Sequence, residues 1–97
     1  MPPVCRLGDI CSGHGCWPPR PNVSASPNVF VNGIKVHRIG DEWAVHCCPA
    51  IPECHDGQLA AGSSTVFING LACARIGDPV SCGSFAAQGS GNVDAGG

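Results

Sequence analysis

Residues 26–41 and 63–78 are two copies of one pattern, and this repeat limits the fold more than any other feature of the chain. The first copy reads Ser26-Pro27-Asn28-Val29-Phe30-Val31-Asn32-Gly33 and ends at Arg38-Ile39-Gly40-Asp41. The second reads Ser63-Ser64-Thr65-Val66-Phe67-Ile68-Asn69-Gly70 and ends at Arg75-Ile76-Gly77-Asp78. A half copy, Val4-Cys5-Arg6-Leu7-Gly8-Asp9, opens the chain, and a frayed one, residues 89–97, closes it. Short β-branched and aromatic runs predict strands. Asn-Gly between two such runs predicts a two-residue type I′ hairpin turn, because both central positions need positive φ. The expected fold is therefore all-β: short hairpins repeated about an axis, three-fold in character if the half and frayed copies complete the ring. No stretch sustains a helical period. Phe30 and Phe67 are expected to anchor the core. Arg6, Arg38 and Arg75 are expected to brace Asp9, Asp41 and Asp78, which read as turn acceptors.

Such a chain is short of core. Its 97 residues hold 3 Phe, 2 Trp and no Tyr, against 14 Gly and 9 Pro. Small turn-rich domains of this kind need a staple: disulfides, a metal or a partner chain. A net charge of -2 with five Lys and Arg cannot form the basic stripe that nucleic acid demands. The start of the chain shows no basic segment followed by an apolar run, and no stretch approaches the ~20 apolar residues of a membrane span. Synthesis in the cytoplasm without a signal peptide would keep the eight cysteines reduced, favouring metal binding or burial, with a disulfide framework as the alternative. Cys5, Cys11, Cys16 and Cys73 read as small buried hydrophobes.

The repeat also organises the histidines. His37 stands where the other copies have Cys5 and Ala74, so it reads as a packed or surface side chain. His14 follows Asp9 by five residues and His46 follows Asp41 by five, while Cys82 lies beside the corresponding place after Asp78. Pseudo-symmetry lets these three converge, and His55 in the excursion between the full copies can supply a fourth vertex. Three imidazoles and a thiolate form a closed tetrahedral set suited to zinc. Cys47, Cys48 and Cys54 bracket the same region and could join or replace a ligand. No catalytic residue is expected. Gly13-His14-Gly15-Cys16 lacks the Lys and helix of a phosphate cradle, repeated Asp residues share like environments, and a four-ligand zinc leaves no place for water. Trp17-Pro18-Pro19-Arg20-Pro21 reads as a stiff connector, with Trp17 covering part of the core.

Several of these strings together resemble the PAAR-repeat proteins: Ser12-Gly13-His14-Gly15-Cys16-Trp17-Pro18-Pro19-Arg20-Pro21, then Ser26 to Gly33, then Ala74-Arg75-Ile76-Gly77-Asp78-Pro79-Val80-Ser81-Cys82-Gly83-Ser84. The resemblance runs over nearly the whole chain. It implies a conical β-domain whose broad base docks on a trimeric β-helical spike, either a valine-glycine-repeat spike of a type VI secretion system or a phage tail spike. It further implies a membrane-piercing tip, zinc near the point held by His14, His46, His55 and Cys82, effector cargo as a possible partner, and delivery on the spike to the outside or into a target cell. A single domain over 1–97 with no fused effector is expected. Two rivals stand beside this reading: a stand-alone zinc or thiol redox protein, and a secreted disulfide-rich binding module.

Overall fold

A computed structural model describes all 97 residues and contains no helix. β1 (Phe30–Val31) pairs with β2 (Ile34–Lys35), β3 (Glu42–Cys48) with β4 (Glu53–Gln58), and β5 (Phe67–Ile68) with β6 (Leu71–Ala72), each pair antiparallel. Asn32 and Asn69 take φ of 57° and 54°, and Gly33 and Gly70 follow at 75° and 79°, as type I′ turns require.

The third hairpin exists, but no turn joins it. Val36 donates to Val29 O (3.0 Å) and Cys73 to Val66 O (3.0 Å). In the third place Val4 donates to Val93 O (2.9 Å), so the half copy supplies one strand and the frayed copy the other. The three units then close on one another. Cys5 N donates to Ala74 O (2.9 Å), Ala74 N to His37 O (3.0 Å), and His37 N to Cys5 O (3.1 Å), a cycle of backbone bonds around the axis. A second cycle runs through side chains. Ser26 Oγ donates to Asn69 Oδ1 (2.6 Å) and Ser90 Oγ to Asn32 Oδ1 (2.6 Å), while Ser63 Oγ donates to Gly96 O. Each serine latches its own copy to the next. Gly96, standing where the full copies have Asn32 and Asn69, offers a backbone carbonyl in place of the amide oxygen.

The Arg-x-Gly-Asp turns repeat with the same fidelity. Asp9 Oδ2 accepts from Arg6 N (2.8 Å) and Nε (3.0 Å), Asp41 from Arg38 N and Nε (both 2.9 Å), and Asp78 from Arg75 N (2.8 Å) and Nε (3.1 Å). Each carboxylate thus satisfies a turn N–H and an ion pair together.

The core has two layers. Val4, Val36, Cys73 and Ala95 are buried between the hairpins, with Val29, Val31, Val66, Ile68 and Val93 packed on them. Trp43, Leu59, Val80, Cys5, Cys11, Ala74 and Ala86 form the next layer. The outline is elongated, 39 × 24 × 21 Å, and the β3–β4 hairpin touches neither short hairpin. We call the short-hairpin end the base and the β3–β4 end the apex.

The expectations for Phe30, Phe67 and Cys16 fail, and the cysteines are not all reduced. Phe30 and Phe67 are not core anchors: they are 52% and 58% exposed. Side chains alternate along a strand, and it is Val29 and Val31, or Val66 and Ile68, that face inward, which turns the phenylalanines out. Cys16 is not a buried hydrophobe. It is exposed and bonded to Cys48, and Cys47 is bonded to Cys54, so the chain carries two disulfides beside free Cys5, Cys11, Cys73 and Cys82.

Candidate metal centre

Four segments bring four donors together at the apex. His46 and His55 are cross-strand partners on β3 and β4, and a register shift between Trp43 and His46 re-aims the strand just before the histidine. His14 sits in a tight turn closed by His14 N to Trp17 O (3.0 Å) and Trp17 N to His14 O (2.9 Å). Gly13 is required there, because a Cβ would lie 2.6 Å from Trp17 O. Cys82 lies in a turn held by Val80 N to Ser84 O (2.8 Å) and Gly83 N to Val80 O (3.0 Å).

The donor atoms of His14, His46, His55 and Cys82 all lie within 4.8 Å of one another. His55 Nε2 is 2.9 Å from His14 Nε2 and 2.7 Å from His46 Nε2, and Cys82 Sγ is 4.0 Å from His46 Nε2. These separations bracket the donor–donor edges of roughly 3.3–3.7 Å that a tetrahedral ion with N bonds near 2.0–2.1 Å and an S bond near 2.3 Å would set. The tautomer of His46 is fixed from outside: Nδ1 donates to Pro18 O (2.8 Å), an acceptor only, so Nε2 turns a bare lone pair inward. Burial, with the neighbouring His55 and Arg20 adding to it, lowers the pKa of His14 below the ordinary histidine value. Burial likewise lowers that of His46, helped by Arg20 and both other imidazoles and opposed by the Pro18 bond. Both shifts favour the neutral, ligating form. The donor set fits a borderline-soft cation.

Two residues of the connector do more than its sequence suggests. Trp17 does not cover the core. It stacks on His14 (centroids 5.0 Å, 23°), lies 4.9 Å from His55, and donates Nε1–H to Glu53 O (3.1 Å), walling one side of the group. Arg20 is only 4% exposed. Its guanidinium donates to Cys82 Sγ (3.3 Å), Cys11 Sγ (3.0 Å) and Ala44 O (2.7 Å) and lies 5.5 Å from the Trp43 ring centre. These bonds hold both sulfurs in place from the inner side. The signal available in sequence was an Arg between prolines with no repeat partner. Cys47, Cys48 and Cys54 do not join the group, since their sulfurs are spent in disulfides. His37 lies apart, fully buried against Trp43. A cavity of about 410 Å³, lined by Glu42, Asp56, Gln58 and Ser81 among others, opens onto His55 and Cys82.

Taken together, a three-fold ring of hairpins carrying a single three-histidine, one-cysteine group at its far end defines a small β-repeat protein with a donor set fit for a metal at its apex. The PAAR motif profile matches residues 12–88, and the chain belongs to the PAAR motif family. No curated protein matches it. Proteins of this family are structural spike tips of contractile injection systems, associated with a spike protein, and the chain takes that spike-tip role. The matched segment leaves out residues 2–4 and 93–95, whose pairing closes the third hairpin. No helix is long and apolar enough to cross a membrane.

Proposed function

We propose that the chain caps a trimeric β-helical spike and that a structural zinc, held by His14, His46, His55 and Cys82, stiffens the point. The observation that carries this is the convergence of those four donors at the end away from the short hairpins. Four protein ligands close a zinc site, so the metal serves as a fastener and activates no water. Without it the apex is a hairpin and two loops, which must offset a backbone entropy of ~1–2 kcal/mol per fixed residue. The base suits the spike for a different reason. Its three-fold pseudo-symmetry offers similar edges to three identical chains, and Phe30, Ile34, Phe67 and Leu71 hold apolar surface outward that a partner would bury.

The rival reading, a free-standing thiol redox or metal-storage protein, is less well supported. Burial pushes Cys5 up to about 12 and Cys73 up to about 11, and so removes their thiolates at neutral pH. Native mass spectrometry of the chain mixed with its spike trimer tests both halves of the proposal at once. The expected species is one chain and one zinc per trimer. A complex lacking the zinc mass would overturn the fastener, and zinc-loaded chain that never joins a trimer would overturn the cap.

A further inference from the structure

Neither capping a spike nor ligating a metal uses Cys16, Cys47, Cys48 and Cys54, yet all four crowd the histidines. Cys16 follows His14 by two residues, Cys47 and Cys48 follow His46 directly, and Cys54 precedes His55. The Cys16–Cys48 bond therefore ties the His14 turn to β3, and Cys47–Cys54 ties β3 to β4 across paired positions. Two covalent links join in series the three segments that present imidazoles. Access differs from that of the other cysteines. Cys16, Cys47 and Cys54 are exposed, whereas Cys5, Cys11 and Cys73 are buried. The exposed half-cystines lie around the histidine group.

We propose that the two disulfides form an exchange site for low-molecular-weight thiols, and that their redox state sets how tightly the histidine group holds its metal. This rests on the metal reading above. A small thiolate attacks an exposed sulfur of Cys47–Cys54. The S–S bond breaks, a mixed disulfide forms, and the departing cysteine thiolate takes a proton. A second thiol then displaces the mixed disulfide, leaving two cysteine thiols and the oxidised small-molecule disulfide. Two electrons pass from two small thiols to one protein disulfide, and Cys16–Cys48 opens in the same way through Cys16. Opening either bond returns conformational freedom to segments that metal binding must then freeze, so affinity falls. The coupling is reciprocal: bound metal makes the disulfides harder to reduce by the same factor.

The test uses the full chain with zinc as probe. Zinc affinity is measured by competition with a chromophoric chelator for the oxidised wild type and for the double variants Cys16→Ser/Cys48→Ser and Cys47→Ser/Cys54→Ser, which open a bond without adding thiol ligands. Each variant is expected to bind zinc at least ten-fold more weakly. In parallel, wild type is equilibrated against a glutathione series with and without zinc and scored by thiol alkylation. Zinc should shift the reduction equilibrium at least ten-fold toward the disulfides. Equal zinc affinity in variants and wild type, or a reduction equilibrium indifferent to zinc, overturns the coupling while leaving the metal reading intact. The glutathione series needs no variant, so a misfolded variant cannot shelter the proposal. Absence of zinc binding by the oxidised wild type removes the metal reading, and the inference with it.

Discussion

At the base every important contact is made three times, whereas at the apex each is made once. The base draws its order from like parts: three ion-paired turns at 3.0, 2.9 and 3.0 Å, three serine latches and a closed cycle of backbone bonds. None of these involves a metal or a disulfide. The apex is assembled from the unlike insertions that follow the Arg-x-Gly-Asp turns, and it holds both disulfides and all four converging donors. Symmetry suits a surface that must meet a symmetric partner. A tetrahedral group of three histidines and one cysteine cannot be built from three equal copies, so the chain breaks the repeat where it needs chemistry.

Metal removal sharpens this contrast most. Structural zinc supplies ~10–16 kcal/mol in small zinc peptides that have no other fastener. Here two disulfides already restrain the apex, so chelation should cost about 4 kcal/mol of local stability, roughly a thousand-fold in hydrogen-exchange protection. The loss should fall on amides of β3 and β4, and the cycle through Cys5, His37 and Ala74 should keep its protection. Equal loss at both ends would mean that base and apex melt as one unit.

Next in size are the turn carboxylates. Asp9, Asp41 and Asp78 are buried, and each bonds an arginine whose side chain is itself only 12–15% exposed. Removing one leaves a mostly buried guanidinium and a turn N–H unpaired, at a cost of about 3 kcal/mol, the low end for a broken buried pair. Asp9→Ala, Asp41→Ala and Asp78→Ala should therefore lower urea-unfolding stability by similar amounts, with chain-bound zinc unchanged. Asp41 also accepts from Ser24 Oγ at 3.3 Å, which gives its variant a slightly larger loss. A spread of more than about 2 kcal/mol among the three would break the claim that the base is energetically repeated.

The same division governs what could be read from the chain. The repeated parts are legible, because a hairpin turn and an Arg–Asp brace each recur and so check one another. Phe30 and Phe67 carry a core signal in their hydrophobicity but lie on the outer side of the strand alternation, which is too brief in two-residue strands to announce itself. The single-copy parts were opaque for a different cause. Which cysteines pair depends on β3 and β4 lying in register, and which residue steadies Cys82 depends on a connector folding back over some sixty residues of chain, from Arg20. No local pattern encodes either.

The smallest expected effect tests the one repeated position that changed character. The site filled by Cys5 and Ala74 in two copies holds His37 in the third, wholly buried, edge-on to Trp43 at 5.1 Å. Its Nδ1 donates to Ser24 O (2.7 Å) and its Nε2 has no partner. Burial pushes its pKa below the ordinary histidine value, and the Ser24 bond, Asp41 and Asp9 only partly restore it against Arg38. The unfolded chain takes up this proton near pH 6.5, and the folded chain takes it up only at lower pH. Between those two points the unfolded state binds more protons, so stability is full above about pH 6.5 and falls as the pH drops through that window. His37→Cys copies the opening half copy and removes the titration, since a cysteine buried in this setting stays neutral throughout, as Cys5 does. The substitution leaves His14, His46 and His55 in place, so the difference between the two stability–pH slopes from pH 7 to pH 5 isolates His37. Wild type should show the steeper slope. Parallel slopes would mean that the imidazole finds a partner for its second nitrogen on protonation, and that this copy of the ring opens where the other two stay shut.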